Sequence, residues 1–120
     1  LLDPTSPIRN KNDIEEMINI FLERKPGLVV AVSKSKRNPY FNMLKMNKKG
    51  YGRLVLKGDF VRRQDAPSLL DITNNCWIFS RKAILEGHRI PYKTIPYEID
   101  GPYIDIDMEA DLKVFECFLK

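Results

Sequence analysis

The sequence lacks most of the features that define membrane, secreted and disulfide-rich proteins. Its 120 residues include only 2 cysteines, Cys76 and Cys117, a poor disulfide framework that makes a reduced, cytoplasmic location the simpler interpretation. No apolar run approaches the ~18–20 residues that a membrane span requires. The segment from Leu1 to Pro7 has neither the basic start nor the cleavage site of a signal peptide. We therefore expect no membrane partner.

Two kinds of catalytic motif are also missing. The 6 glycines form no glycine-rich phosphate-binding loop, which a nucleotidyl-transfer enzyme needs unless a basic loop replaces it. The single histidine, His88, supports neither a histidine-rich metal site nor a nucleophile paired with histidine. The chain opens with Leu1 and Leu2 directly before a proline-rich turn, as though inside a strand. We therefore expect a fragment of a longer protein.

The composition is that of one globular domain over residues 1–120, with 43% hydrophobic, 10% aromatic and 30% charged residues. The charges are unevenly distributed. One stretch has a single acid, Asp59, among ten basic residues: Lys34, Lys36, Arg37, Lys45, Lys48, Lys49, Arg53, Lys57, Arg62 and Arg63. A later stretch has no base and six acids: Glu98, Asp100, Asp105, Asp107, Glu109 and Asp111. The first can hold phosphate or carboxylate, and the second can hold a divalent cation.

The apolar pattern predicts an α/β fold. Residues 12–23 have helical periodicity with Asn12 as the cap, and Leu28 to Val32 form a continuous run typical of a parallel strand buried on both faces. With Leu1 and Leu2 as the end of a buried strand, this order is a strand–helix–strand unit.

The remaining elements follow from local signals. Residues 38–60 form an antiparallel, strand-rich excursion, with strands over 40–44 and 53–56 around the turn at 47–50. A strand over 72–79, a short helix over 80–86, an extended segment over 94–98 and a final helix complete the chain. Cys117, in that last helix, is expected to be buried.

Asp105 and Asp107 are the sharpest candidates for chemistry. Residues two apart in an extended segment point to the same face, so both carboxylates project together. Two convergent carboxylates beside a bound phosphate are typical of Mg²⁺ in nucleotide-transfer sites. The alternative is structural: Asp107 caps the last helix and Asp105 is solvated.

Polar side chains in three further segments each allow a functional and a structural interpretation. Arg63 can bind carboxylate or phosphate in a bidentate way, or lie on a solvated face. Asn74 and Asn75 stand inside an apolar strand, where their amides need backbone or ligand partners. Asp3 follows a strand end, where open α/β sheets bind ligands, or it belongs to an ordinary turn.

Five segments in order resemble the acylneuraminate cytidylyltransferase family, the CMP-sialic acid synthetases. They are Leu1-Leu2-Asp3-Pro4-Thr5-Ser6-Pro7-Ile8-Arg9, Asn38-Pro39-Tyr40-Phe41-Asn42, Arg63-Gln64-Asp65, Asn74-Asn75-Cys76-Trp77-Ile78, and Ile104-Asp105-Ile106-Asp107 through Asp111-Leu112. The resemblance implies a nucleotide-diphospho-sugar transferase (Rossmann-like) fold whose small excursion, residues 38–60, makes a homodimer. It also implies transfer of CMP from CTP to a nonulosonic acid sugar, with release of pyrophosphate.

The resemblance implies roles for individual residues. Asp105 would bind Mg²⁺ and help to activate the sugar hydroxyl, Asp107 would complete the metal site, and Asp3, Arg63 and Asn74 would lie at the sugar. Two positions depart from the family, which often has glutamine at Asp3 and glycine at Asn75. The family's N-terminal strand and CTP-binding loop are missing, so this chain resembles the sugar- and metal-binding part and is expected to be inactive by itself.

Two alternatives remain open at this point. One is another sugar-acid nucleotidyltransferase, such as a 3-deoxy-sugar acid cytidylyltransferase. The other is a non-catalytic dimerising or nucleic-acid-binding module that uses the basic excursion. The acidic stretch is unnecessary for a nucleic-acid binder, so we expect no nucleic-acid partner.

Overall fold

The computed structural model describes all residues, 1–120, and divides them into two compact units. The first unit comprises residues 1–33 and 72–120, and the second comprises residues 34–71. The elements are α1 (Lys11–Arg24), β1 (Leu28–Lys34), β2 (Leu44–Met46), β3 (Gly52–Leu54), a 3₁₀ turn (Arg63–Asp65), β4 (Leu70–Phe79), α2 (Arg81–Leu85), β5 (Thr94–Glu98) and α3 (Glu109–Phe118). The predicted α/β class is confirmed. None of the helices combines the length and the apolar character that a membrane crossing requires.

The main sheet has three strands in the order β4-β1-β5. β1 and β5 run parallel, with Leu28 opposite Thr94 and Val32 opposite Glu98. β4 runs antiparallel to β1, since the amide at its end, Ser80 N, donates to Gly27 O just before β1 begins. The sheet is therefore mixed, which is compatible with a Rossmann-like fold.

β1 is the centre of the core, as the apolar run predicts. Its first five residues are at most 2% exposed, and they alternate between two faces. On one face Val29 and Ala31 pack with Met17 of α1 and Cys76 of β4. On the other face Leu28, Val30 and Val32 pack with Trp77.

Helix α1 begins earlier than predicted. Its N-cap is Asn10, whose side chain accepts a hydrogen bond from the backbone of Asn12, so Asn12 is not the cap. Both asparagines can cap a helix, but Arg9 is hydrogen-bonded to β4 and fixes the chain immediately before Asn10. The helix ends at Arg24, and the C-cap residue Lys25 adopts the left-handed conformation with φ of 46°.

Leu1 and Leu2 do not form a buried strand. Leu1 is 77% exposed and Leu2 is 48% exposed, and neither belongs to an assigned strand. The backbone N and O of Leu1 instead exchange hydrogen bonds with Trp77 of β4, at 2.7 and 2.9 Å. The predicted strand–helix–strand unit is thus wrong in its first strand. The strand beside β1 on that side of the sheet is β4, and Leu1 contacts β4 instead.

The second unit contains the predicted excursion, but its strands are shifted. β2 and β3 pair antiparallel, with Leu44 opposite Leu54, around a turn in which Asn47 Oδ1 accepts from the backbone of Lys49 and Tyr51. Residues 39–42 form turns, although a strand was expected from residue 40, because Asn38 accepts hydrogen bonds from the amides that follow it. No hydrophobic side chain of this unit is buried.

The chain after β4 follows the predictions except at its end. Ser80 caps α2 through a hydrogen bond from the amide of Ala83, and Gly87 follows with φ of +71°. Helix α3 buries none of its residues, and Cys117, which was expected to be buried, is exposed. The apolar periodicity of α3 therefore predicted a helix correctly but not its burial.

Candidate functional site

A tight turn presents the carboxylate of Asp3. Asp3 Oδ1 accepts hydrogen bonds from the backbone N of Thr5, at 3.0 Å, and from its hydroxyl, at 2.8 Å. The backbone hydrogen bond from Thr5 is the main reason that the pKa of Asp3 is lowered, and the hydroxyl adds to the effect. Asp3 therefore carries a negative charge at neutral pH.

Reciprocal hydrogen bonds hold this turn against β4. Arg9 donates from Nε to the backbone O of Asn75, at 3.0 Å, and from Nη2 to the backbone O of Asp3. In return, the side-chain amide of Asn75 donates to the backbone O of Ile8, at 2.6 Å. Of the two asparagines, Asn75 is therefore the one that takes a backbone partner.

A cavity of about 230 Å³ brings two of the predicted sugar residues, Asp3 and Asn74, into one wall. The side chain of Asn74 makes no hydrogen bond within the chain, unlike that of Asn75. The remaining lining residues are Leu1, Trp77, Phe79 and Arg89.

Arg89 is a charged residue of this cavity that the sequence did not single out. Its Cζ lies 5.8 Å from the centre of the Trp77 ring, which is stacked on Phe79 with an angle of 9° between the rings. Arg89 lies well beyond β4 in the chain, and no local pattern links it to Trp77. Its guanidinium gives the cavity a positive charge opposite in sign to Asp3.

Asp105 and Asp107 lie in different environments. Asp105 is half-buried, and its Oδ1 is buried without a hydrogen-bond partner, whereas Asp107 is exposed. Between them, the backbone N of Ile106 donates to Thr5 O at 2.8 Å. The acidic segment is therefore attached to the turn that presents Asp3, but neither aspartate lines the 230 Å³ cavity. That both carboxylates face one cation stays a prediction.

The structural alternative for Asp107 is wrong. Helix α3 has Met108 at its N-cap, and the side chain that satisfies the preceding amides belongs to Asp111. Asp111 Oδ2 accepts from the backbone N of Asp107 and of Met108, at 3.0 Å each. The carboxylate of Asp107 thus has no capping role.

Arg63 belongs to the second unit, in the wall of a cavity of about 270 Å³. Its Nη2 donates to the backbone O of Lys36 at 2.6 Å, so part of the guanidinium anchors a loop. An arginine has five N–H donors, and the others are left for an anion. Lys34 and Arg37 line the same cavity and make it basic.

The carboxylates before α3 are compatible with a Mg²⁺ ion that takes few protein ligands. No group of three or more histidine, cysteine, aspartate or glutamate side chains is arranged to hold a metal ion. Mg²⁺ in nucleotide sites commonly uses only one or two carboxylates together with waters and substrate phosphates. The carboxylate of Asp105, whose Oδ1 accepts no hydrogen bond from the chain, is an available ligand of that kind.

No family model matches the chain. It is 28% identical over 123 residues to the post-translational flagellin modification protein B of Campylobacter coli, a match that covers 99% of this chain and 51% of that protein. It is 32% identical over 97 residues to the CMP-N,N'-diacetyllegionaminic acid synthase of Campylobacter jejuni, covering 77% of this chain and 39% of that protein. The chain thus spans about half or less of the length of these curated relatives. The two matches support a cytidylyltransferase family for this chain, as the motifs predict.

Proposed function

We propose that the chain is the sugar- and metal-binding part of a nucleotidyltransferase that transfers CMP from CTP to a nonulosonic (sialic-type) acid sugar and releases pyrophosphate. The observation that carries the proposal is the half-buried carboxylate of Asp105, whose Oδ1 accepts no hydrogen bond from a protein group, on a segment bonded to the Asp3 turn. The name of the Campylobacter jejuni relative, a CMP-sugar-acid synthase, supports the same reaction class.

Asp105 and Asp107 are the residues that would hold Mg²⁺. When bound, the cation would neutralise charge on the phosphates of CTP. Asp105 would in addition accept a hydrogen bond from the sugar hydroxyl that attacks the α-phosphorus and orient it for the displacement of pyrophosphate. The carboxylate of Asp107 is available for this role because Asp111 Oδ2 accepts the hydrogen bonds from the backbone amides at the start of α3.

Asp3 and Asn74 would bind the sugar in the 230 Å³ cavity of the first unit. The ionised Asp3 repels the carboxylate of an acidic sugar, so we expect it to accept from a hydroxyl or an acylamino N–H instead. Asn74, in the same cavity, can donate and accept at a neighbouring position. In the second unit, the basic cavity around Arg63 would accept a carboxylate.

A homodimer is also proposed, with the second unit at the interface. Strands β2 and β3 are exposed at every residue, and Leu44 and Met46 are 70% and 73% exposed. A two-stranded hairpin of this size is marginal by itself and is stabilised by covering its apolar side chains.

The experiment compares Asp105→Asn with Asp100→Asn, an exposed acid of the same stretch, in the full-length protein. We expect Asp105→Asn to abolish pyrophosphate release from CTP, Mg²⁺ and a nonulosonic acid, with unchanged thermal unfolding. Asp100→Asn should retain the activity. Full activity of Asp105→Asn would refute the proposal, and steeply salt-dependent binding to DNA or RNA instead of turnover would favour the non-catalytic module.

A further inference from the structure

Two buried side-chain polar atoms in the chain have no hydrogen-bond partner: Ser6 Oγ and Asp105 Oδ1. Ser6 is fully buried. Leaving a buried donor or acceptor unsatisfied costs about 1–3 kcal/mol, so native proteins contain few such groups. Two of them in one small region therefore require an explanation.

The two atoms belong to segments that touch. Ser6 follows Thr5 and Asp105 precedes Ile106, and the backbone N of Ile106 donates to Thr5 O at 2.8 Å. The backbone N of Ser6 donates to Asp3 O at 3.2 Å, which fixes Ser6 within the turn. The unpartnered atoms thus flank one backbone hydrogen bond.

Their chemistry is complementary. A serine hydroxyl has one proton to donate, and a carboxylate oxygen is an acceptor. The other hydroxyl of the turn, that of Thr5, already donates to Asp3. Ser6 is therefore the one side-chain donor of this turn that remains for Asp105.

We propose that Ser6 is a positioning residue whose hydroxyl donates to one buried water, which in turn donates to Asp105 Oδ1. This water bridge fixes the carboxyl plane of Asp105 and leaves Oδ2 for the cation and the substrate. The inference rests on the proposed function for the consequence of that orientation. The water-bridged contact itself needs neither the metal ion nor the substrate.

A double-mutant cycle tests the hydrogen bond without metal or substrate. Urea unfolding is measured for the unaltered protein, Ser6→Ala, Asp105→Ala and the double variant. A hydrogen bond to a charged group is worth enough to change the folding equilibrium constant by about tenfold. We expect Ser6→Ala to lower that constant about tenfold when Asp105 is present and to leave it unchanged or raise it in the Asp105→Ala background.

Thr5→Val is the matched control, because the Thr5 hydroxyl contacts Asp3 and should show no coupling to Asp105. A Ser6→Ala protein that is as stable as the unaltered one, or more stable, would overturn the proposal, since removing a truly unpartnered hydroxyl costs nothing.

A second measurement separates this inference from the proposed function. Calorimetric titration with Mg²⁺ should show at least tenfold weaker binding for Ser6→Ala, because partners that orient a metal ligand typically change affinity by ~10–100-fold. Coupling in the cycle with unchanged Mg²⁺ affinity in Asp105→Ala would refute the metal site and keep the Ser6 hydrogen bond. Loss of Mg²⁺ binding in Asp105→Ala without coupling would refute the role of Ser6 alone.

Discussion

Replacement of Arg9 tests how the Asp3 turn is held on β4. Arg9 uses two nitrogens of its guanidinium, with Nε 3.0 Å from the backbone O of Asn75 and Nη2 bonded to Asp3 O. Hydrogen bonds that involve a charged group contribute about 1.5–3 kcal/mol each. Asp3 O keeps a second partner in the amide of Ser6, so most of the loss falls on the carbonyl of buried Asn75. We expect Arg9→Ala to lower the free energy of unfolding by roughly 2–3 kcal/mol.

Arg9→Lys is the sharper variant. It keeps the positive charge but replaces the planar fork with an ammonium that satisfies one carbonyl at a time, and we expect a loss of about 1–2 kcal/mol. The assay is urea unfolding followed by circular dichroism, with Arg24→Lys at an exposed position of α1 as the control, expected to change stability by less than about 0.5 kcal/mol. If Arg9→Lys falls in the range of that control, the forked geometry does not hold the turn.

Two further predictions concern other parts of the chain. The Tyr97 hydroxyl lies 2.8 Å from Glu16 and 3.1 Å from Asp13, and burial first, then these carboxylates, raises the pKa of Tyr97. The stabilisation of the fold by the protonated Tyr97 hydroxyl is fully present below the unfolded-state pKa of about 10 and is lost as pH rises from there towards the raised folded-state pKa. In urea titrations, Tyr97→Phe should therefore be less stable than the unaltered protein at neutral pH, and the difference in the free energy of unfolding should narrow above pH ~10. A difference that stays constant with pH would contradict this prediction. For the homodimer, light scattering should show a dimer that the variant Leu44→Lys weakens. The control Leu22→Lys, on the exposed surface of α1, should leave the dimer unchanged. A folded protein that stays monomeric at high concentration would exclude the homodimer.

The parts of the fold that the sequence predicts best are those whose local pattern reports burial directly. The apolar run from Leu28 to Val32 predicts a parallel strand covered on both faces, and the structure confirms this with β5 as its parallel neighbour. The same reasoning fails for Leu1 and Leu2, which have the apolar character of a strand but remain exposed. Composition alone does not tell a strand from an extended end that contacts one neighbour.

The second unit shows how side chains compete with a strand pattern. Tyr40 and Phe41 have high strand propensity, yet Asn38 accepts from the amide of Tyr40 through its side chain and from that of Phe41 through its carbonyl. These local hydrogen bonds favour a turn over a ladder. The turn at Asn47 was predictable because the same chemistry stands there between two strands.

The residues of the candidate site also differ in whether local sequence or contacts between distant segments determine their positions. The adjacent asparagines raised the choice between backbone and ligand, and the structure gives Asn75 the backbone and leaves Asn74 in the cavity. Arg89 was missed because its contact with Trp77 comes from the return of the chain after α2. Contacts between residues far apart in sequence leave no periodicity to read.

The acidic segment before α3 gives the strongest physical argument for function. The sequence offers Asp107 as the cap of the last helix, but the N-cap is Met108 and the backbone amides of Asp107 and Met108 donate to Asp111 Oδ2. Asp107 is then an acid with no capping role, and Asp105 is an acid with a buried oxygen that no protein group satisfies. A chain selected for stability alone would replace Asp105 with an apolar or exposed residue, since burying an unsatisfied polar atom is costly. Departures of this kind are expected where a site must bind something. The cost of burying Asp105 is therefore best explained by a ligand or a positioning partner, and the variants of Ser6 and Asp105 distinguish the two.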